Sequence, residues 1–153
     1  SFVGLTGGEL WLAGDETADP DYVARLKATA PPNVRFLGRL TRAQVWETLA
    51  QVDAVVVPTL WYETFSFIVS EAFAAGRPVL ASRLGPLADR VRDGVDGLLL
   101  PPGDVAAWRA ALSRLIAAPD ALASLRAHVR PPTTLAEHIE SLEAVYRRLV
   151  RPA

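Results

Sequence analysis

Runs of consecutive apolar residues recur along the chain, each closed by glycine, proline or a charged turn, with longer mixed stretches between them. Leu10-Trp11-Leu12-Ala13 reads as a buried strand ending at Gly14-Asp15. Asp21 to Thr29 reads as a helix, with Pro20 near its start and Pro31-Pro32 closing it. Val34 to Leu37 is a second strand, ended by Gly38. Thr41 reads as the N-cap of a helix to Gln51 whose apolar stripe is Val45, Trp46 and Leu49. Further strands are expected at Ala54–Val57, Pro78–Ala81 and Gly97–Leu100, and a short helix at Pro86–Arg92 before the Asp93-Gly94 turn. Asp104 caps a helix to about Ala117, and Asp120–Val129 and Thr134–Leu149 follow as helices parted by Pro131-Pro132. The strands are continuous apolar runs without alternation, as in parallel sheets covered on both faces. Strands that alternate with helices in this way predict a doubly wound α/β fold with a helical C-terminal tail. That tail would pack on one side or reach toward something else.

The stretch from Pro58 to Ser82 organises the rest. A polar and aromatic loop leads into a helix at about Phe67–Ala75 that is apolar almost all round, which predicts burial. Glu71 interrupts it. A carboxylate on a buried helix needs a partner or a shifted pKa, so Glu71 is expected to face a ligand or a fixed donor. Glu63 sits eight positions earlier, in the loop.

Composition narrows the function. Half the residues are apolar and the formal net charge is −1, so the chain reads as one soluble globular domain with a real core. Its basic residues are scattered, which argues against a nucleic-acid groove. The absence of cysteine excludes disulfides and thiolate metal sites. His128 and His138 lack ligand spacing. No apolar run approaches the ~18 residues that span a bilayer, and no signal peptide is visible. With no methionine at all, the chain reads as a fragment or a processed piece.

In doubly wound sheets, ligands bind beyond the carboxyl ends of the strands. Four loops fall there: Gly14-Asp15-Glu16, Gly38-Arg39-Leu40, Pro58–Ser66 and Ser82–Pro86. The third is richest, because Thr64-Phe65-Ser66 enters a helix N-terminus, whose free N–H groups and dipole suit a phosphate. Hydroxyls beside that phosphate would meet Glu63 and Glu71, and carboxylates accept paired sugar hydroxyls. A nucleotide-sugar or sugar-phosphate ligand follows. The dinucleotide and P-loop glycine fingerprints and the hydrolase elbow are absent. A glycosidase would set its two carboxylates on opposing walls of a cleft, whereas here both flank one helix end.

The run from Val34 to Asp104 resembles the C-terminal, donor-binding half of retaining GT-B glycosyltransferases of group 1 (GT4-like). The matching pieces are VRFLG (34–38), DAVVVP (53–58), E-x7-E from Glu63 to Glu71, EAFAAGRPVLAS (71–82) and DGVDGLLLPPGD (93–104). The resemblance implies that Glu71 holds the nucleotide ribose and that Glu63, the catalytic residue, contacts the transferred sugar. It implies that the amides of Thr64, Phe65, Ser66 and Phe67 hold the sugar and diphosphate. Gly38, Arg39 and Leu40 would line the base, with Gly14 nearby. It further implies a nucleotide-diphosphate-sugar donor, an unknown acceptor, no cofactor and no metal, a cytoplasmic setting, and peripheral membrane association of a longer protein.

The chain departs from the pattern of its relatives in three places. Many have Gly-Phe-Gly after the first glutamate, where this chain has Thr64-Phe65-Ser66. Gly85-Pro86 and Asp89 stand where Gly-Gly and glutamate are common. A strand and a basic pair that usually precede Leu10 are not in the sequence, so the sheet is expected to lack its first strand, between those at Leu10 and Ala54. Ser1–Leu5 resembles only the tail of the helix before it. The open sheet would be filled by dimerisation, chain exchange or another segment, and the fragment itself would not catalyse transfer. Two alternatives stand beside this reading, a non-catalytic interaction module on the same fold and a nucleotide-sugar epimerase. Residue by residue, structural readings compete as well. Glu71 would pair with Arg77 or Arg83, and Glu63, Asp15 and Glu16 would be solvated. Arg39 would grip a ligand or simply be exposed. Trp61 and Tyr62 would pack at a loop base, Arg90 and Arg92 would form a solvated helix face, and Trp11, Trp46 and Trp108 would be core.

Overall fold

The computed structural model describes residues 2–150. Five strands alternate with helices: β1 (Leu10–Ala13), α1 (Pro20–Thr29), β2 (Val34–Gly38), α2 (Arg42–Gln51), β3 (Val55–Val57), α3 (Phe67–Ala74), β4 (Val79–Ser82), α4 (Gly85–Arg90) and β5 (Gly97–Leu100). Helices α5 (Val105–Ala117), α6 (Pro119–Ala127) and α7 (Leu135–Leu149) complete the chain. Every expected element forms, with ends shifted by one or two residues. All strand pairs are parallel, and the architecture is the doubly wound α/β type.

The strands form two separate ladders among the described residues, β1-β2 and β3-β4-β5. The split falls where the family resemblance implies a further strand, between those at Leu10 and Ala54. β1 therefore has a neighbour on one side only, and so does β3, which leaves main-chain groups on each open edge. In the second ladder, Val55, Val56 and Val57 lie opposite Val79, Leu80 and Ala81, and Leu80 lies opposite Leu98.

The second ladder carries the core. Val57, Val79, Ala81 and Leu99 pack on one face with Val69, Ala72 and Phe73 of α3, Leu87 of α4 and Val91. Leu80 and Leu98 pack on the other face with Trp108, Ala111 and Leu115 of α5 and Leu125 of α6. These alternating sides explain a run without polar gaps: every position meets a helix. Gly97 is required by the closeness of β4, since a Cβ there would lie 2.0 Å from the Val79 carbonyl oxygen.

The first ladder does not meet the expectation of two covered faces. No residue of β1, α1 or β2 is fully buried. Trp11 is only half-buried and lies beneath the Arg35 guanidinium, 4.5 Å from its ring centre, and Trp46 of α2 is 37% exposed. Of the three tryptophans expected in the core, only Trp108 is there. Residues 2–5 form a turn rather than a helix tail, with the Leu5 N–H donating to the Phe2 carbonyl, while Ser1 lies outside the described residues. Asn33 ties this segment down by donating to the carbonyls of Leu5 and Gly8 at 2.9 and 3.0 Å. In the tail, α6 packs on the core, whereas α7 turns Leu135, Ile139, Leu142 and Tyr146 to solvent.

Candidate functional site

The carboxyl ends of the strands gather the expected loops. Gly14 and Gly38, which end their strands, are joined by a 2.9 Å hydrogen bond from the Gly14 N–H to the Gly38 carbonyl. Gly38 has φ +67, a left-handed turn that glycine adopts without steric cost. Asp15 is not simply solvated: it accepts from the Thr17 hydroxyl and N–H, and Arg39 stands 3.6 Å away. The Thr17 hydroxyl, then its N–H and Arg39, hold the Asp15 carboxyl below its ordinary pKa. Glu16 pairs with Lys27 at 2.6 Å. Arg39 is thus exposed and drawn toward Asp15, and Leu40 is half-buried beside it.

The mouth of α3 lacks a side-chain cap, as do the starts of α4 and α6, and differs in this from α1, α2, α5 and α7. Asp19, Thr41, Asp104 and Thr134 close the first turns of α1, α2, α5 and α7 with side-chain oxygens. Ser66, the N-cap of α3, sits at φ 60, ψ 79 and makes no side-chain cap. The left-handed region costs a non-glycine residue about 1 kcal/mol. Its hydroxyl is buried and unpaired, as are those of Thr59 after β3 and Ser82 at the end of β4. The Val69 N–H reaches the Ser66 carbonyl at 3.2 Å, while the Phe67 and Ile68 amides have no backbone acceptor among the described residues. Uncapped first-turn amides are what an anionic ligand takes up.

Arg90 braces this mouth, contrary to the expected solvated helix face. Its guanidinium donates to the Phe65 carbonyl, to the Ser66 carbonyl at 2.9 Å and to the Ser70 hydroxyl, and it lies 4.0 Å above the Phe65 ring. Burial lowers its pKa from the ordinary value. A signal was present in the sequence: Arg90 stands three residues after Leu87, on the helical face that enters the core. Arg92 is committed too, pairing with the buried Asp96 at 2.6 Å and donating to the His128 carbonyl. Trp61 and Tyr62 are 66% and 77% exposed rather than packed at a loop base.

Glu63 and Glu71 enter no ion pair among the described residues. The competing structural reading of Glu71, an ion pair with Arg77 or Arg83, does not occur among the described residues. Arg77 instead donates to the carbonyls of Leu49 and Ala50, and Arg83 to Asp93 and the Leu99 carbonyl. Glu71 is half-buried in the wall of an open groove of about 600 Å³ between α2 and α3. Arg42, Trp46, Phe67, Ser70, Ala74 and Pro132 complete that wall. Helix α3 is therefore not buried all round: Phe67 is 74% exposed, because the 67, 70, 71, 74 face lines the groove. Of the expected site residues, the groove brings together Glu71 and Phe67, and it places Glu63, Thr64, Gly14 and the Gly38–Leu40 loop outside its wall. Arg42 went unmarked in the sequence, although its place in the first turn of a helix just after the Gly38 loop pointed to this end of the sheet.

The DGVDG stretch (93–97) is a structural turn. Asp93 accepts from the Leu99 N–H at 2.9 Å and from Arg83, and Asp96 accepts from the Arg92 N–H at 2.8 Å. The Leu99 N–H, more than Arg83, holds the Asp93 carboxyl below its ordinary pKa. Among the described residues no cluster of acidic or histidine side chains is arranged to hold a metal ion, and no helix is long and apolar enough to cross a membrane.

Fold and site together define an α/β domain that offers a ligand the carboxyl ends of parallel strands, an uncapped helix mouth and unpaired carboxylates. Residues 6–118 match the family described as glycosyl transferases group 1, and the chain belongs to that family. It is 36% identical over 145 residues to the D-inositol 3-phosphate glycosyltransferase of Mycolicibacterium paratuberculosis, covering 91% of this chain and 33% of that protein. The Mycobacterium marinum protein of the same name is 34% identical, at 90% and 31% coverage. The chain thus spans about a third of the length of these relatives. Among solved structures, sucrose-phosphate synthase from Thermosynechococcus elongatus superposes with TM-score 0.77 at 27% identity, over 93% of this chain and 38% of that one. Anabaena Alr3699/HepE, solved in complex with UDP and glucose, superposes with TM-score 0.71 at 23% identity, over 92% and 40%. These neighbours establish the Rossmann-like half of the GT-B fold.

Proposed function

We propose that this chain is the donor-binding domain of a retaining glycosyltransferase that uses a nucleotide-diphosphate sugar. The observation that carries the reading is the unpaired, half-buried Glu71 one turn beyond the uncapped start of α3. A diphosphate on the amides of Thr64–Phe67 would place its ribose hydroxyls toward Glu71 and its sugar toward Glu63. Gly38, Arg39, Leu40 and Gly14 would line the base. In transfer, the bond from the sugar's anomeric carbon to the diphosphate oxygen breaks, an acceptor hydroxyl oxygen bonds to that carbon on the same face, and the hydroxyl proton passes to the departing diphosphate. The charge that grows on the departing diphosphate is met by preorganised amides, a source of transition-state stabilisation that needs no metal. Glu63 acts there by position and charge. The acceptor is met by parts of the protein outside this chain. The groove walls of Arg42 and Trp46 add a cation and an aromatic surface beside Glu71.

Titration of UDP and GDP into the intact protein and its Glu71→Ala variant tests the reading. Loss of two hydrogen bonds to a carboxylate is expected to weaken binding by about 10- to 100-fold. Equal affinity in both proteins removes the ribose role. Product analysis by NMR should show the donor's anomeric configuration kept, and a changed sugar formed without acceptor would instead mark an epimerase.

A further inference from the structure

We propose that Arg90 is a positioning residue that keeps the mouth of α3 open to ligand by holding Ser66 in its left-handed conformation. The proposal rests on the donor-binding reading above. A serine at an N-cap ordinarily adopts an extended backbone, and its hydroxyl then accepts from the helix's own second or third amide. Here those amides belong to Ile68 and Val69. An extended Ser66 would cap α3 from within on the Ile68 or Val69 N–H, and the change in its φ and ψ would turn the adjoining Phe67 N–H, one of the amides proposed for the diphosphate. At φ 60 the hydroxyl is turned away and left unpaired, so the open mouth is the less favoured of two local states.

Arg90 supplies what tips the balance. It is the side chain that binds both carbonyls of the turn, Phe65 and Ser66, and the Ser70 hydroxyl in the first turn of α3. Charge-assisted bonds of this kind are stronger than neutral ones, and stacking on the Phe65 ring at 4.0 Å orients the fork. The same donation neutralises two carbonyl dipoles beside the mouth, so that exposed amides set its polarity. At the opposite end of α4, Gly85 (φ +43) lies near Tyr62, and a Cβ there would come within 2.9 Å of the ring.

Closing the mouth in a fraction of molecules lowers apparent affinity by that fraction and leaves the chemistry of the bound form alone. Arg90→Met keeps the aliphatic stem and removes the fork together with its stacking on Phe65. It is expected to weaken UDP and GDP binding about tenfold, raising KM for the donor with kcat little changed. Arg90→Lys, with one point charge, should fall between. Ser66→Gly deletes the internal cap and frees φ, so Arg90→Met/Ser66→Gly should recover affinity to within about threefold. A purely structural Arg90 would lower thermal stability in both backgrounds without this rescue. Amide exchange in the ligand-free protein gives a second measure: Ile68 should exchange freely in the parent, slow in Arg90→Met, and exchange freely again in the double variant. Unchanged affinity together with unchanged Ile68 exchange overturns the proposal. Should the parent bind neither UDP nor GDP, the donor-binding reading fails, and Ile68 exchange still decides whether Arg90 holds the turn open.

Discussion

β1 and β4 are both four-residue apolar strands, LWLA and VLAS, and they meet different surroundings. Every residue of β4 is buried, and Leu80 is 0% exposed. In β1 no residue is fully buried, and Leu12 is 37% exposed. The cause lies in their neighbours. β4 is flanked by β3 and β5, with α3 and α4 on one face and α5 and α6 on the other. β1 has β2 alone. An apolar run shows that both faces of a strand accept covering, and the helices that supply it are set by topology. The proposed donor loop belongs to the better-covered side, since β3 leads into it and α3 and α4 brace it. Rigid support of this kind is what a preorganised anion site requires.

The sharpest way to break this comparison is a matched pair of truncations. Leu80→Ala removes a wholly buried side chain between α5, α6 and β5 and is expected to cost about 3–4 kcal/mol in denaturant unfolding. Leu12→Ala should cost under about 1 kcal/mol, because much of its surface is already in water. Similar costs would show that β1 is covered in solution and that the two ladders are equivalent.

A smaller effect belongs to the turn before β5. Asp93 joins that turn to β5 through the Leu99 N–H. Its folded pKa is depressed, so its contribution is full above the ordinary value of 3.8 and is lost as pH falls through the lower folded value. Asp93→Ala is expected to cost about 1 kcal/mol at neutral pH, with its half-exposed side chain limiting the figure. The gap from the parent protein should close as pH falls below 3.8. A gap that stays constant with pH would mean that Asp93 acts through packing rather than as a carboxylate.

How much of this was legible follows the same division. Element order, the Thr41 and Asp104 caps and the Gly38 turn were readable because each depends on residues close in sequence. The split sheet was readable from a gap in a known order. The exposure of Trp11 and Trp46 was not, since apolar spacing does not say which faces stay open. The left-handed Ser66 was hidden for a related reason. Its conformation is held by Arg90, 24 positions away, and a serine before an apolar run reads as an ordinary cap. Glu71 was legible as a carboxylate interrupting an apolar helix, whereas the groove in front of it depends on α2 and Pro132.

The smallest effect belongs to the surface of the first ladder, where contacts stand in for a core. Arg35 lies over Trp11 at 4.5 Å and 3.7 Å from Glu9, which in turn accepts from the Trp11 indole N–H at 2.8 Å. All three groups meet water, so the ion pair is screened by salt while the stacking is less so. Arg35→Ala should therefore cost about 0.5–1 kcal/mol at low salt. In 1 M NaCl only part of that should remain, read by Trp11 fluorescence during denaturation. A cost near that of Leu80→Ala would make this exposed cluster the first ladder's true anchor, and the contrast between the two halves would then be one of chemistry rather than of strength.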